Sequence, residues 1–412
     1  MTTRNKTSWA HRTISKDVRL VFCSFAPVGL DDYVQYFANR FDSFVYLKWK
    51  FPHSRGRLTS SLEKYQKGER IVYRRLFSLP SFQSRFLYFL FLPFHYLVYL
   101  SQCLALLRKR ESEAVTVFIG VNYFCTFCGI LLKKLGRTDV VVYRVMDFFP
   151  LPPRGIYRYL NRIFYVIDKF CLNNSDHIWF TTEGHIIGRE KYGYFRRSEH
   201  NYQLIPLGLD ISRLAARPID GCNATSLVYC GVISKYHLLD LLFEVMQELK
   251  RDFPDIKLNL IGSGPDEAYF KESARRMNLD ENVVFHGFLE EGDKFTELMS
   301  GSVLGIALYR DEEDFMKYTE PAKVKLYLRF GVPAVVSRVP VIAGELEAKK
   351  VCFAVDNNKE EIAEVIRNFI LDTKLQAEYK DNVKDFVKSL DINRLLDEVF
   401  LETFGQAPER HV

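Results

Sequence analysis

Short apolar runs alternate along the chain with helical stretches. Most of these runs are apolar at consecutive positions, which is typical of parallel strands covered by helices on both faces. We predict strands at residues 18–24, 43–49, 71–77, 115–120, 139–145, 177–182 and 202–208, and then at 226–231, 256–262, 282–287, 303–309, 333–337 and 351–355. The alternation predicts an α/β fold class.

A polar stretch near the middle of the chain interrupts this pattern and contains Pro218, Gly221 and Asn223. A chain of 412 residues is too long for one core and suits two domains. Two doubly wound sheets that face one another would leave a ligand cleft at the carboxyl ends of their strands. We therefore predict a Rossmann-like domain at 17–206, a hinge linker at 207–225, a second Rossmann-like domain at 226–388 and a closing helix at 389–412.

Residues 86–107 contain no charged side chain and are rich in Phe, Tyr and Leu. As a helix they would extend about 33 Å, long enough to cross a bilayer. Pro93, His95 and the pair Ser101 and Gln102 weaken that interpretation. A transmembrane span, a core or surface helix of the first domain and an interfacial helix remain open.

The net charge of +6 is the sum of two large opposite charges. The first 206 residues carry 31 Lys and Arg against 15 Asp and Glu, a net of +16, while the remainder carries 26 against 36, a net of −10. From Lys48 to Arg75 there are nine cations against Glu63 and Glu69, interleaved with aromatic residues. Beside an uncharged aromatic helix, this run favours an anionic membrane surface over nucleic acid as the partner.

The eight cysteines lie mostly in apolar runs and show no framework spacing. We interpret them as buried free thiols in a reducing cytosol. Cys125 and Cys128 form one CxxC pair, but no second pair follows at zinc spacing. We therefore expect two core residues on one helix and no metal site.

Two features of the second half are suited to phosphate. Gly262, Ser263 and Gly264 lie between a predicted strand and a helix, where backbone N–H groups can approach a phosphate closely. Lys323 lies eight residues before Gly331 in a Gly-x-Pro motif. If this lysine opens a helix, its charge and the helix dipole can stabilise a departing nucleotide diphosphate without a metal. The alternative is a surface lysine that covers apolar neighbours.

The order of motifs in the second half resembles the donor-binding domain of GT-B glycosyltransferases, with a C-terminal domain like that of glycosyltransferase family 4. The matching blocks are GVISKYHLLDLLFEV (231–245), LNLIGSGP (258–265), ENVVFHGFL (281–289), GIALY (305–309) and PAKVKLYLRFGVPAVVS (321–337), and LIPLGLDISRL (204–214) is similar to the preceding hinge. The resemblance implies a GT-B fold, a UDP-sugar or similar donor, no cofactor, and donor contacts by Gly231, Val232, Ile233, Gly262, Gly264, Phe288, Tyr309, Glu320, Ala322 and Lys323.

Three positions depart from the retaining members of that large family. Those members carry an Arg and a Lys in the first block, where this chain has Val232 and His237, and a Glu in the last block, where it has Leu326. The motifs are more similar to the inverting, membrane-associated glucuronosyltransferase of xanthan assembly. That likeness maps a V-Y-R-x-x-D pattern onto residues 142–147 and implies that Asp147 is the catalytic base.

Asp147 also suits this role from its sequence context. It follows an apolar strand among apolar neighbours, which would raise the pKa of a carboxyl toward that of a useful base. Alternatively, it caps the turn before Pro150. Gly29, Asp31 and Asp32 follow the first strand and are candidates for the acceptor side, although the two carboxylates could equally cap a helix.

These observations predict an inverting, metal-independent glycosyltransferase of polysaccharide or glycolipid assembly. It would use a lipid-linked saccharide acceptor and lie peripherally on the cytoplasmic face of the cell membrane. The alternatives are a retaining GT-B transferase, a nucleotide-sugar epimerase of the same fold and a non-enzymatic protein that binds anionic surfaces.

Overall fold

The computed structural model describes residues 18–26, 30–50, 59–82, 84–107, 114–150, 156–211, 225–311 and 314–408. The chain divides into two compact units. The first comprises Met1–Thr181, His185–Gly208 and Ile392–Val412, and the second comprises Thr182–Gly184 and Leu209–Asp391. Most of the predicted hinge linker lies outside the described residues.

The first unit contains an eight-stranded sheet. Its strands are β1 (Val18–Ala26), β2 (Ser43–Lys50), β3 (Ser60–Gln66), β4 (Glu69–Leu76), β5 (Val115–Val121), β6 (Val140–Val145), β7 (His177–Phe180) and β8 (Tyr202–Leu204). They are ordered β4-β3-β2-β1-β5-β6-β7-β8. Six neighbouring strands of this sheet are parallel to one another, namely β2, β1, β5, β6, β7 and β8.

The second unit contains a six-stranded sheet that is parallel throughout. Its strands are β9 (Ser226–Cys230), β10 (Lys257–Ile261), β11 (Val283–Gly287), β12 (Leu304–Ala307), β13 (Ala334–Ser337) and β14 (Cys352–Val355). They are ordered β11-β10-β9-β12-β13-β14. Two mainly parallel sheets confirm the predicted α/β class, because consecutive apolar positions suit strands that helices cover on both faces.

Fourteen α-helices are found in the described part of the chain. They are α1 (Asp31–Arg40), α2 (Arg85–Leu106), α3 (Asn122–Lys134), α4 (Ile156–Asn174), α5 (Glu183–Lys191), α6 (Leu239–Asp252), α7 (Glu267–Arg276), α8 (Asp293–Ser300), α9 (Asp314–Tyr318), α10 (Ala322–Arg329), α11 (Ala343–Ala348), α12 (Lys359–Leu371), α13 (Thr373–Ser389) and α14 (Ile392–Phe404).

A hairpin at one edge of the first sheet differs from the expected parallel pattern. The predicted run 71–77 falls on β4, which pairs antiparallel with β3, a strand that the apolar pattern did not predict. The two-residue turn between them has positive φ at both Lys67 (48°) and Gly68 (87°), the geometry that matches the twist of a hairpin. Seven of the eight residues of β4 are exposed, which agrees with its position as the outer strand of the described sheet.

The predicted apolar segment forms α2, which begins after Ser84; the Ser84 hydroxyl accepts a hydrogen bond from the Leu87 N–H. One side of α2 is buried against β1, β2 and β5 through Leu92, Tyr99 and Cys103. Among the described residues, Phe89–Leu106 is the one helical stretch long and apolar enough to cross a membrane, with a mean hydropathy of 1.6 and 22% of it buried.

The cysteines in the described part of the chain are free thiols. Cys125 and Cys128 both lie on α3 and are fully buried, which matches their interpretation as core residues. Cys230 at the end of β9 is half-buried, and Cys222 lies outside the described residues.

Helix α14 returns to the first unit and completes its core. Phe400 packs against Phe37 and Phe41 of the α1 region and against Trp179 of β7, with ring centroids 5.4 to 6.2 Å apart. Arg40 at the end of α1 donates a hydrogen bond to Asp397 at 3.0 Å. The last helix is therefore a structural part of the first unit.

Replacing Phe400 with Ala should lower the free energy of unfolding by about 3–5 kcal/mol, because it opens a cavity in an aromatic core. Urea unfolding measures the loss. Leu401→Ala is the matched control on the same helix: its side chain is exposed, and the expected change is within about 0.5 kcal/mol. Equal losses for the two variants would contradict this packing.

Candidate active site

In the second unit, the loops that follow β9 and β10 are joined by backbone hydrogen bonds. Gly231 N–H donates to the Ile261 carbonyl at 2.9 Å, and Ile233 N–H donates to the Ser263 carbonyl at 3.2 Å. Both loops lie at the carboxyl ends of neighbouring parallel strands, where ligands of such sheets bind. The two predicted glycine-containing motifs therefore form one structure.

The close approach of these loops requires glycine. Gly231 and Gly262 have φ angles of +150° and +136°, a region that side-chain-bearing residues rarely adopt. A Cβ atom on Gly262 would overlap the Gly231 carbonyl oxygen, and one on Gly264 would overlap the Ile233 carbonyl oxygen. The absence of side chains lets the two backbones touch, which leaves a surface that a phosphate can approach closely.

Lys323, the second residue of α10, extends to this pair of loops. Its Nζ donates a hydrogen bond to the Tyr229 hydroxyl at 3.1 Å and lies 4.6 Å from the centre of that ring and 5.4 Å from the centre of the Tyr309 ring. Its Cε would be 2.6 Å from a Cβ on Gly231. The structure thus brings together Lys323, Tyr309 and Gly231 of the predicted donor set.

Incomplete hydration dominates the electrostatics of this site. Although the Lys323 side chain is only half-buried by exposed area, protein encloses its ammonium closely enough to lower its pKa to about 7. The neighbouring His237 has its pKa lowered to about 3, first by burial and then by the Lys323 charge. At neutral pH the imidazole is uncharged, so the positive charge of this cluster comes from Lys323. In the part of the chain that the structure describes, the contacts of Lys323 include no carboxylate.

The other predicted donor residues occupy different positions. Val232 and Phe288 are exposed at the ends of β9 and β11, and Ala322 is exposed at the first position of α10. Glu320, in contrast, is buried and forms an ion pair with Lys325. Its carboxylate is engaged within the protein.

Sequence reasoning missed two tyrosines that support this site. The Tyr229 hydroxyl accepts from Lys323 and donates to the Val232 carbonyl at 2.6 Å. The Tyr327 hydroxyl accepts from Cys230 N–H at 3.0 Å and donates to the Ile306 carbonyl at 2.9 Å. Tyr229 lies two residues before Gly231, and that proximity was the signal that could have identified it.

In the first unit, Asp147 lies two residues after the end of β6. Its side chain is exposed, yet the protein around it limits hydration enough to raise the pKa of its carboxyl, while the Arg189 charge opposes this rise. Solvent reaches this carboxylate, which is a requirement for a group that must meet a substrate. Asp147 therefore lies just beyond the end of β6, at the carboxyl edge of the sheet.

A buried polar network supports the Asp147 loop. Arg189 of α5 donates to Asp168 of α4 at 2.9 Å and to the Asp147 backbone carbonyl at 3.2 Å. The hydroxyls of Tyr143 and Tyr194 also donate to Asp168, at 2.5 and 3.1 Å. The four side chains of this network are buried. The Arg189–Asp168 ion pair and its hydrogen bonds therefore connect the Asp147 loop to β6, α4 and α5.

The predicted acceptor-side residues lie at the start of α1. Asp31 is exposed and Asp32 is partly exposed in its first turn, where carboxylates interact favourably with the helix dipole. Gly29 lies outside the described residues. Within the described ranges, no group of three or more His, Cys, Asp or Glu side chains is arranged to hold a metal ion.

Comparison with known proteins agrees with this architecture. Residues 223–386 match the family Glycosyl transferases group 1. A sucrose-phosphate synthase from Thermosynechococcus elongatus has a similar structure, with a TM-score of 0.66, 14% identity and coverage of 94% of this chain and 99% of that chain. The protein HepE of Anabaena, crystallised with UDP, gives a TM-score of 0.65 and 14% identity over 94% of this chain and 100% of that one.

TarM of S. aureus, crystallised with fondaparinux, alpha-GlcNAc-glycerol and UDP, is also similar, with a TM-score of 0.52 and 13% identity over 71% of this chain. This chain spans 55% of the TarM chain. No curated protein matches the chain in sequence. The comparisons show a GT-B fold, and the match to the group 1 glycosyltransferase family lies within the second unit.

Replacing Arg189 with Met should lower the free energy of unfolding by about 3–5 kcal/mol, because Asp168 would be left as a buried carboxylate without its cation. Urea unfolding measures this loss. Arg197→Met is the control, since the Arg197–Glu190 ion pair is exposed and contributes about 0–1 kcal/mol. A loss no larger than that of the control would show that the buried pair does not stabilise the unit.

Proposed function

We propose that this protein is a GT-B glycosyltransferase that transfers a sugar from a nucleotide diphosphate donor, such as a UDP-sugar, to a lipid-linked saccharide with inversion at the anomeric carbon. The observation that carries the proposal is the position of Lys323 beside the touching loops of Gly231 and Gly262. A site that combines a cation, glycine backbone and a helix N-terminus is suited to bind a diphosphate.

In the proposed reaction, the acceptor hydroxyl oxygen attacks the anomeric carbon of the donor. The hydroxyl proton passes to the Asp147 carboxylate, and the bond between the anomeric carbon and the diphosphate oxygen breaks. Its electron pair leaves with the diphosphate, whose added charge Lys323 stabilises. The raised pKa of Asp147 improves it as a proton acceptor at neutral pH.

The residues around Lys323 favour inversion. The position where retaining relatives carry a lysine is His237, whose lowered pKa leaves it uncharged. The first-block arginine and last-block glutamate of those relatives are replaced by Val232 and Leu326. The motif likeness to the xanthan glucuronosyltransferase, which supplied the assignment of Asp147, supports the same stereochemistry.

We also propose that the protein lies peripherally on the cytoplasmic face of the cell membrane and acts on its lipid-linked acceptor there, in polysaccharide or glycolipid assembly. The excess of positive charge in the first 206 residues supports this location, since anionic lipids attract basic segments. A nucleotide-sugar epimerase would convert labelled donor without any membrane extract, so incubation with and without extract separates the two activities.

Replacing Asp147 with Asn should lower the turnover number by about 100- to 10,000-fold, because the amide cannot take up the acceptor proton. Transfer from labelled donor into membrane extract is the measurement, and Asp31→Asn and Asp32→Asn are controls for the two other carboxylates. NMR of the product reports its anomeric configuration. Retention of configuration, or full activity of the Asn variant, would exclude Asp147 as the base.

The affinity for UDP should fall as pH rises above about 7. The Lys323 pKa is lowered to about 7 in the free protein, and a bound diphosphate would raise it, so binding requires proton uptake at higher pH. Calorimetric titration between about pH 7.5 and 9 should show a dissociation constant that approaches a tenfold rise per pH unit.

Lys323→Met should bind UDP more weakly and without this pH dependence. Lys235→Met is the matched control, because Lys235 is an exposed lysine near the same loops and should leave the slope unchanged. A flat profile in the unmodified protein would contradict the role of Lys323.

A further inference from the structure

Helix α2 presents an uncharged stripe of large apolar side chains to solvent. Phe86, Leu90, Phe94 and Leu97 are 53% to 67% exposed and recur at intervals of three and four residues, so they share one face of the helix. Exposed apolar stripes of this kind mark surfaces that interact with a membrane or with another protein.

The opposite side of α2 is fixed in the core of the first unit. Leu92, Tyr99 and Cys103 are buried with residues of β1, β2 and β5, and the Tyr99 hydroxyl donates to the Lys50 carbonyl at 2.6 Å. A helix that spanned a bilayer would have to leave these contacts. The geometry therefore suits a helix that lies along a membrane surface with one face in the protein.

Helix α4 has a second exposed stripe. Tyr159, Ile163 and Val166 are exposed at intervals of four and three residues, and the exposed Arg162 and Lys169 lie among them. The one acidic side chain of α4, Asp168, is buried in its pair with Arg189. The exposed part of α4 thus combines apolar and cationic side chains without a carboxylate.

The two stripes lie on helices that touch. Phe89 of α2 and Phe164 of α4 stack with ring centroids 5.3 Å apart. We call the exposed side chains of both helices the α2–α4 face, composed of Phe86, Leu90, Phe94, Leu97, Tyr159, Arg162, Ile163, Val166 and Lys169. It combines apolar area with positive charge, which is the chemistry of an interfacial helix on an anionic bilayer.

We propose that the α2–α4 face docks the protein on an anionic lipid bilayer and delivers the acceptor to Asp147. The second part of this proposal rests on the proposed function. A protein partner is disfavoured by charge: among the described side chains of the two helices, no exposed carboxylate is present to pair with a cation of a partner. Anionic lipid headgroups, in contrast, can be bound by cationic side chains alone.

The face leads directly to the loop of the catalytic carboxylate. Tyr165 of α4 donates its hydroxyl to the Phe149 carbonyl at 3.1 Å, and Phe149 is exposed two residues after Asp147. An acceptor whose lipid chain remains in the bilayer can therefore present its saccharide next to this loop. The acceptor class that fits is an amphiphile with a membrane-embedded chain.

The test is sedimentation of the full chain with vesicles of phosphatidylcholine alone and of phosphatidylcholine with phosphatidylglycerol. The unmodified protein should bind the phosphatidylglycerol vesicles. The variant Leu90→Glu/Leu97→Glu should bind them at least about tenfold more weakly, because it removes apolar area from the membrane and adds anionic charge.

The control variant is Leu371→Glu/Leu401→Glu, which changes two leucines of comparable exposure on α12 and α14 and should bind vesicles as the unmodified protein does. Arg162→Glu/Lys169→Glu tests the cationic part and should also weaken binding to phosphatidylglycerol vesicles. Equal binding by the face variants and the control, or no binding by the unmodified protein, would overturn the proposal. Retention of the chain in membranes after alkaline extraction would also overturn it, because a docked protein is released.

Thermal unfolding with UDP distinguishes failure of this surface from failure of the proposed function. The face variants should be stabilised by UDP as much as the unmodified protein, since Lys323 is unchanged. UDP stabilisation without vesicle binding rejects the docking surface alone. Vesicle binding without UDP stabilisation supports the surface and rejects UDP as the nucleotide of the donor.

Discussion

The common direction of the parallel strands is the constraint on which both units depend, because it brings the carboxyl ends of neighbouring strands to one edge of a sheet. Strand β6 delivers Asp147 at that edge of the first unit, and β9 and β10 deliver the glycine loops in the second. In each case a tyrosine near the end of the strand anchors the adjoining loop. Tyr143 is bonded to Asp168 below the Asp147 loop, and Tyr229 is bonded to Val232 and Lys323.

The fold could be predicted, and the candidate phosphate site of the second unit could be proposed, because their signals are local. Consecutive apolar positions identified the parallel strands, and Gly262 and Lys323 were recognisable from neighbouring residues. The Arg189–Asp168 pair could not be predicted, since it joins two helices through a contact that no local pattern encodes. The same holds for Tyr229 and Lys323, which lie 94 positions apart. Strand β3 was missed because its sequence, SSLEKYQ, has no consecutive apolar residues, whereas β4 was predicted as a strand but not as one arm of a hairpin.

Charge acts differently in the two halves of the chain. The second half is acidic overall, and yet the Lys323 ammonium lies against two aromatic rings and beside an uncharged imidazole. A distant acidic residue is screened by solvent, whereas a poorly hydrated ammonium interacts strongly with a nearby phosphate. In the first half, Arg162 and Lys169 of α4 are exposed and interact through solvent, which suits a broad anionic surface rather than one ligand.

The hairpin has a consequence for solubility. Strand β4 is the outer strand of the first sheet, and an outer strand has backbone N–H and C=O groups that could pair with a strand of a second copy. Exposed Arg70, Arg74 and Arg75 make this edge cationic, so two copies that approached edge to edge would repel each other. The opposite edge, β8, is only three residues long. The positive charge of one edge strand and the short length of the other thus oppose edge-to-edge aggregation of the sheet.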